Sequence, residues 1–369
     1  MRYIIAVNHP AQYHLFKNVY FNLKQRGHDA IFVVRDKDIL VSLMESDNVE
    51  FILLLKKRIG NSKLSILFKG AIDILHQGFV LFKFALKFKP DVMFGTDYSI
   101  THVGFLLNIK TIVFNEDDYS INKLFCKLSY PFADCIVAPS ICNVHKYEYK
   151  RIGYNGYQKL TYLHPAVFHP NVNIKKKYIN DEKYFLIRLV RLSAGHDIEM
   201  NHKGISVEVL KQLISILEKY GRVYISSEST LPLELYNYVL NIDFKDIHHL
   251  MAYASLVIAD SQSMVVEACM LGTPSIRFNS FVGKISVLEE LQNYYELTYG
   301  IHSDQPAQLF STIESLLRSR DYRSLFISRR DKMLSEKINV YAFFNWFIEN
   351  YPISKQMMQD NPGLQYNFK

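Results

Sequence analysis

"LVIADSQSMVVEACMLGTPSIRF", residues 256 to 278, is the stretch whose reading decides the architecture of this chain. The apolar run Leu256–Ala259 reaches Asp260 without alternation, as in a strand covered on both faces. Ser261 to Leu271 then reads as a helix. Ser261 or Asp260 can cap it, Gly272 ends it, and Pro274 opens the next strand. Met264, Ala268 and Leu271 recur at helical spacing and are expected to face the core, while Ser263 and Glu267 share another face. Strand, helix and strand in so short a span make a βαβ unit of a parallel sheet. A helix starting at a strand's carboxyl end offers N–H groups and a positive dipole end to an anion. Ser261, Gln262 and Ser263 are therefore candidates for a phosphate seat, and Glu267 for accepting ribose hydroxyls. The same residues also fit a capped helix carrying a solvated glutamate.

The pattern repeats along the chain. RYIIAVN, AIFVVR, FILLL, DVMFG, TIVFN, CIVAPS and KLTYLHP alternate with amphipathic segments. In the first of these Leu15, Val19 and Leu23 share a face, and Gly27 stops the helix. After "YLHPAVFHPNVNIKKKY" a second series begins: YFLIRLV, VYISS, LNIDF, LVIAD and PSIRF. Prolines and lysines make that junction a linker. The spacing predicts an α/β protein of two doubly wound, Rossmann-like domains facing a cleft, residues 1–170 and 171–337. A helix in residues 338–369 is expected to cross back to the first domain, followed by a loosely held polar tail.

Composition narrows the class. The chain has 369 residues, a formal charge of +7 and four cysteines. Two cores suit that length, and the charge suits anionic partners. No zinc-finger or RNA-recognition signature is present, so nucleic acid is not an expected partner. Cys126, Cys135, Cys142 and Cys269 lack metal-ligand spacing and read as buried thiols of a cytoplasmic protein, with no metal site. The first residues hold too short an apolar run for a secretory signal. Residues 53 to 89 are basic, then long and apolar, but Lys69, Asp73, His76 and Lys83 forbid a spanning helix. The segment is either a loop and buried helix of the first sheet or a surface that docks on anionic lipid at the inner membrane face.

"DSQSMVVEA...LGTP" resembles the "DSGGxQEEA...LGxP" box of non-hydrolysing UDP-N-acetylglucosamine 2-epimerases and related GT-B glycosyltransferases. In that superfamily the serine and neighbouring N–H groups hold phosphate and the last glutamate holds ribose, which implies those roles for Ser261 and Glu267. Gln262 and Ser263 stand in place of the Gly-Gly pair. "PDVMFGTDYSITHVGFLLNIKTIVFNEDDYS" is similar to "PDxVxVxGDTTT...GIPVAHVEAGLRT", and "NKLFCKLSYPFADCIVAPS" to "NRxLxDxLSDLxFAPT". The likeness sets Asp97 beside the epimerases' first catalytic carboxylate and Glu116 on their second. Their glutamate before "NR" is missing, since Ser120 and Ile121 stand there, and "VRLSAGHDIEMNHKG" replaces their "THRREN" segment. The whole chain most resembles an uncharacterised GT-B-clan family of prokaryotes. Its marks here are "HPAQYHLFKNV", "RLSAGHD", "SSE", "HHLMAYASLVIADSQSMVVEA" and "NSFVGK", over roughly residues 1 to 300.

Single residues add detail. His9 and His14 follow the first strand, where His14 is either a base or packed along its helix. Glu116, Asp117 and Asp118 cluster at a strand end, where they either do general-base work or cap the next helix. Arg191, Ser193, His196 and Asp197 open the second domain, where an arginine can grip a diphosphate in bidentate fashion. Ser226, Ser227 and Glu228 are weaker candidates, His248 and His249 read as a polar helix start, and Gly283 with Lys284 lie past a strand end. The leading expectation is a GT-B glycosyltransferase that uses a nucleotide-diphosphate sugar, UDP-linked by resemblance, in making cell-surface polysaccharide or glycolipid. Its catalytic residues are expected among Asp117, Glu116, His14 and Asp97. The donor is expected on Arg191, Ser193, His196, Ser261, Gln262, Ser263, Glu267 and Lys284, with a glycan or lipid-linked acceptor and no cofactor. The alternatives are a sugar-nucleotide 2-epimerase and a non-catalytic sugar-nucleotide binder.

Overall fold

The computed structural model describes residues 1–36, 39–55, 66–190, 204–228 and 230–369, with side chains from residue 72 onward in the helix starting at Ile66. The chain divides into two compact units: unit 1 is Met1–Tyr162 with Ile338–Lys369, and unit 2 is Leu163–Lys337.

Unit 1 is built on seven strands: β1 (Arg2–Val7), β2 (Asp29–Arg35), β3 (Phe51–Leu55), β4 (Val92–Gly95), β5 (Lys110–Phe114), β6 (Cys135–Pro139) and β7 (Arg151–Tyr154). All neighbours are parallel, in the order β3-β2-β1-β4-β5-β6-β7. The inner strands are apolar throughout because both faces are covered: Tyr3 to Val7 is wholly buried. Right-handed crossovers put α1 (Pro10–Gln25) and α2 (Leu40–Ser46) on one face, and α3 (Ile66–Phe88), α4 (Tyr98–Leu107) and α5 (Lys123–Ser129) on the other. Leu81 and Ala85 of α3 pack with Val103 of α4 onto Ile4 and Met93. Each large aliphatic side chain so buried contributes about 1.5–3 kcal/mol. The seventh strand is Arg151–Tyr154, not KLTYLHP, whose Leu160–Leu163 forms a single helical turn. A short apolar run has no period long enough to tell strand from helix.

Unit 2 carries α6 (Val172–Tyr178), α7 (Val207–Leu217), α8 (Ile247–Tyr253), α9 (Gln262–Leu271), α10 (Ser286–Asn293), α11 (Pro306–Arg318) and α12 (Tyr322–Glu336). Its strands are β8 (Tyr184–Leu189), β9 (Arg222–Ser227), β10 (Leu256–Ala259), β11 (Ser275–Phe278) and β12 (Tyr299–Ile301). They form a parallel sheet in the order β12-β11-β10-β8-β9. LNIDF is not a strand; Phe244–Asp246 is a 3-10 turn, and the fifth strand is Tyr299–Ile301. The deciding stretch folds as strand, helix and strand. Ser261 is the cap, its Oγ accepting from the Met264 N–H at 3.3 Å, and Gly272 ends the helix at a left-handed φ of 68°. Val265 to Leu271 are all buried, so α9 is a central helix with no exposed face past its first turn.

The chain returns to unit 1 through α13 (Val340–Glu349) and α14 (Ile353–Asp360). Asn345 Oδ1 accepts from Asn22 Nδ2 at 2.7 Å, and Phe344 packs on Phe114 at 4.7 Å. The tail expected to be loose is pinned instead. Gln365 Oε1 accepts from the Asn155 N–H at 2.6 Å, and Lys355 Nζ donates to the Asp134 carbonyl at 2.8 Å. Polar residues are used there to satisfy backbone groups just past β7 and just ahead of β6. The four cysteines are free and buried. Among the described residues no helix is long and apolar enough to cross a membrane.

Candidate functional site

In unit 2 the strand order reverses between β8 and β10, and doubly wound sheets bind ligands beyond their carboxyl ends at that point. A cavity of about 550 Å³ lies there, walled by Val190 after β8, Ser227 of β9, Asp260 after β10 and Phe278 of β11. The start of α7 completes the wall with Gly204, Ile205, Ser206 and Val207. Ser206 caps α7, its Oγ accepting from the Val209 N–H at 3.3 Å, so the helix's positive end faces the cavity. Leu189, Leu210, Leu231 and Pro232 add apolar surface, and Thr230 and Ser303 add hydroxyls. An apolar chamber with a few placed polar groups and a helix N-terminus suits a ligand that joins a flat ring to an anion.

Asp260 holds this corner together. Its Oδ1 accepts from the Val190 N–H at 2.8 Å, and the Ile205 N–H also bonds to its carboxylate. A Cβ on Gly204 would collide with its Oδ2, so only glycine lets the chain pass. Burial raises its pKa from 3.8 to about 6, against the lowering pull of the two N–H groups and of Arg188. Arg188 lies within β8, where Nη1 donates to Ser226 Oγ at 2.7 Å and Nη2 to Glu228. The Asp260 carbonyl accepts from Asn279 Nδ2 at 3.1 Å, which ties the end of β10 to the loop after β11.

The expected donor residues are spread through this unit. Arg191, Ser193, His196 and Asp197 lie outside the described residues. Ser261 caps α9, and Gln262 and Ser263 are half-buried in its first turn. Glu267 is not solvated: it is 5% exposed, with Oε1 at 3.4 Å from Nε2 of the equally buried His248. Lys284 is exposed, its Nζ 5.9 Å from the Phe281 ring centre. In the same loop the Gly283 N–H donates to Glu289 at 3.0 Å, and Glu289 also receives the fully buried Arg277 at 3.2 Å. Nε and Nη1 of Arg277 have no hydrogen-bond partner among the described residues, and burial pushes its pKa down.

In unit 1 the reversal falls between β1 and β4. Asp97 follows β4, is 1% exposed, and caps α4 by accepting from the Ser99 N–H at 2.6 Å. Its other oxygen accepts from Gln77 at 2.9 Å and from Asn8. Gln77 Oε1 and Thr96 Oγ1 are buried with no partner among the described residues, leaving polar atoms at this edge for a ligand hydroxyl or a water. Glu116, Asp117 and Asp118 take separate hydrogen-bond partners, and beside burial itself all three raise the pKa of the buried Cys142 thiol. Glu116 accepts from the Gln158 N–H at 2.6 Å and from Lys159 at 3.1 Å. Asp118 accepts from the Asn143 N–H at 2.8 Å. Asp117 is half-buried and accepts from Asn122 at 3.4 Å. His14 is half-buried between the Tyr13 and Tyr162 rings, at 6.0 and 5.5 Å. His9 caps α1 through Nδ1, 3.2 Å from the Ala11 N–H. Among the described residues no group of three metal-ligating side chains gathers.

Residues 2–324 match the family described as "Protein of unknown function (DUF354)". The chain belongs to that family. No curated protein is similar to it by sequence. The fold of this DUF354 member is shared with UDP-GlcNAc 2-epimerases and GT-B glycosyltransferases of known structure. The UDP-GlcNAc 2-epimerase from Methanocaldococcus jannaschii is 17% identical at a TM-score of 0.58, covering 87% of this chain and 94% of that one. The Neisseria meningitidis UDP-GlcNAc 2-epimerase bound to UDP-GlcNAc is 12% identical at 0.59, with coverage of 92% and 96%. A Streptomyces sp. SF2575 glycosyltransferase complexed with thymidine diphosphate is 13% identical at 0.58, with coverage of 95% and 99%.

Sequence reasoning missed Gly204, Ser206, Asp260 as a clamp, and the His248–Glu267 pair. "GISVEVL" carried a usable signal, a glycine and a capping serine just before an amphipathic helix that follows a strand. His248 carried none, because its partner is distant in sequence.

Proposed function

We propose that this DUF354 protein transfers a glycosyl group from a nucleotide-diphosphate sugar to an acceptor hydroxyl. The observation that carries the reading is the cavity at the switch point of the second sheet, with the first turn of α7 in its wall. Its volume lies in the usual range for small-molecule sites, about 300–1,000 Å³. The apolar wall suits the base, the α7 terminus suits the diphosphate, and Glu267 beside His248 is assigned to the ribose. Ser261, Gln262 and Ser263 offer a second capped helix start for phosphate oxygens.

In the reaction the acceptor oxygen bonds to the anomeric carbon as the bond to the diphosphate oxygen breaks. The acceptor proton passes to a general base, assigned to Asp117 with His14 in reserve. Asp97 and Glu116 are assigned to structure, because their oxygens are engaged by backbone, amide and lysine donors. That assignment, with the absent glutamate at Ser120 and Ile121, favours transfer over 2-epimerisation. The reading needs no cofactor. Free buried thiols and a soluble activated donor fit a cytoplasmic enzyme, and cell-surface glycan or glycolipid is the expected product class.

The test is a thermal-shift panel of UDP-, dTDP- and GDP-sugars, then donor turnover with and without acceptor alcohols. A donor that raises Tm and is consumed only with acceptor supports the proposal. Interconversion of a UDP-sugar with its 2-epimer without acceptor makes the protein an epimerase. Binding without turnover makes it a sensor, and no binding at all overturns the site.

A further inference from the structure

The outer surface of the α3–α4–α5 layer of unit 1 has no use in the chemistry above. On α3, among the positions whose side chains are described, the exposed ones are Ile72, Leu75, His76, Phe79, Lys83, Leu86 and Lys87. They recur at helical spacing on one side of the helix, opposite Leu81 and Ala85 in the core. Leu75 is 73% exposed. α4 packs beside α3 and adds Phe105 and Leu106 at 68% and 69%, and α5 packs beside α4 and adds Leu124. Phe105 lies 5.5 Å from the exposed Phe132 just past α5, so the aromatic surface of α4 runs on to the end of α5.

Isolated exposed apolar residues are ordinary, but a group of them gathered on neighbouring helices of one layer marks a contact surface. The fully exposed charges on these helices have one sign. Lys83, Lys87, Lys123 and Lys127 are exposed, Lys83 Nζ lies 4.3 Å from the Phe79 ring centre, and the one acid on them among the described residues, Asp73, is half-buried. A second copy would meet this face in a two-fold interface, bringing lysines against lysines. A bilayer containing anionic lipid offers apolar depth for leucine and phenylalanine, and phosphates for the lysines.

We propose that this face seats unit 1 on the surface of an anionic lipid bilayer. Leu75, Phe79, Phe105 and Leu106 enter the headgroup boundary, and the lysines meet the phosphates. The proposal is independent of the reaction, since it uses none of the residues assigned to donor or base.

The test is flotation of the full chain with phosphatidylcholine vesicles and with vesicles that also contain phosphatidylglycerol. Binding to the second only, weakened by salt, is the expected result. The triple variant Leu75→Ser, Phe79→Ser, Phe105→Ser is expected to lose about tenfold or more in vesicle affinity, with Tm and circular dichroism unchanged. Lys83→Glu with Lys87→Glu, at exposed positions that cannot disturb the core, is expected to abolish the preference for anionic vesicles. Absence of flotation, or equal flotation of both variants, overturns the proposal. So does a dimer in sedimentation that the leucine and phenylalanine changes dissolve, because the cover is then a second copy.

Discussion

Both sheets place an aspartate where the strand order reverses, and the two are used alike up to a point. Asp97, after β4, reaches Asn8 after β1; Asp260, after β10, reaches Val190 after β8. Each ties the loops on the two sides of its switch point, and each is nearly inaccessible. They differ in what they leave open. Asp97 caps its own helix and binds side-chain amides, so the edge around it is filled with polar atoms. Asp260 leaves the cap to Ser261 and spends its oxygens on the Val190 and Ile205 N–H groups, which ties the lead-in of α7 to the end of β10 in the wall of a cavity. The lesson is that the most buried acid at such an edge is part of the scaffold, and chemistry belongs to its more accessible neighbours.

The largest expected effect tests that rule in unit 1. Asp117→Asn should lower turnover by roughly 10²–10⁴ while leaving donor affinity and Tm near those of the parent. Asp97→Ala should do the reverse, lowering Tm through loss of a helix cap worth about 0.5–2 kcal/mol and the stranding of Gln77 and Asn8. If Asp97→Ala keeps its stability and loses only activity, the comparison is broken.

In unit 2 the rule has a pH signature. The folded chain holds the Asp260 proton up to about pH 6, against 3.8 ordinarily, so its contribution to stability is complete below about pH 4. It is lost as pH rises through about 6, by roughly 3 kcal/mol at most. Asp260→Asn keeps an acceptor for only one of the two N–H groups and should be less stable. The gap in Tm from the parent should narrow between about pH 4 and 6. A gap constant across that window would mean the carboxylate is solvated.

Glu267→Ala should weaken nucleotide binding by about 1–3 kcal/mol, the scale of a charge-assisted hydrogen bond. His248→Phe should weaken it similarly if the pair acts together on the ribose, and calorimetry on both variants would sharpen the assignment. Unchanged affinity in both would make the pair structural, like Asp97. The smallest effect is expected at Lys284→Ala, less than about fivefold in donor affinity, because an exposed cation is screened by solvent and salt.

The fold was legible because its signals are local. LVIAD, the cap at Ser261, the stop at Gly272 and the strand after Pro274 follow from propensity and period within a few residues. The same locality exposed Asp97, Glu116 and Asp117 as acids at strand ends. Short edge strands such as Arg151–Tyr154 and Tyr299–Ile301 were not legible, since three or four residues carry no period and owe their state to the neighbour they pair with. Nor was the division of labour among the acids. Glu267 read as solvated or ribose-binding, yet folding set it against His248; Glu116 read as one of a cluster, yet folding gave it to Lys159. By itself the sequence determined two parallel α/β sheets and where their inner strands end. Only the tertiary structure decided which carboxylate is bonded, which is desolvated and where a cavity remains. Those properties depend on groups that are remote along the chain, and burial, which sets their charge and cost, is a property of the packed whole.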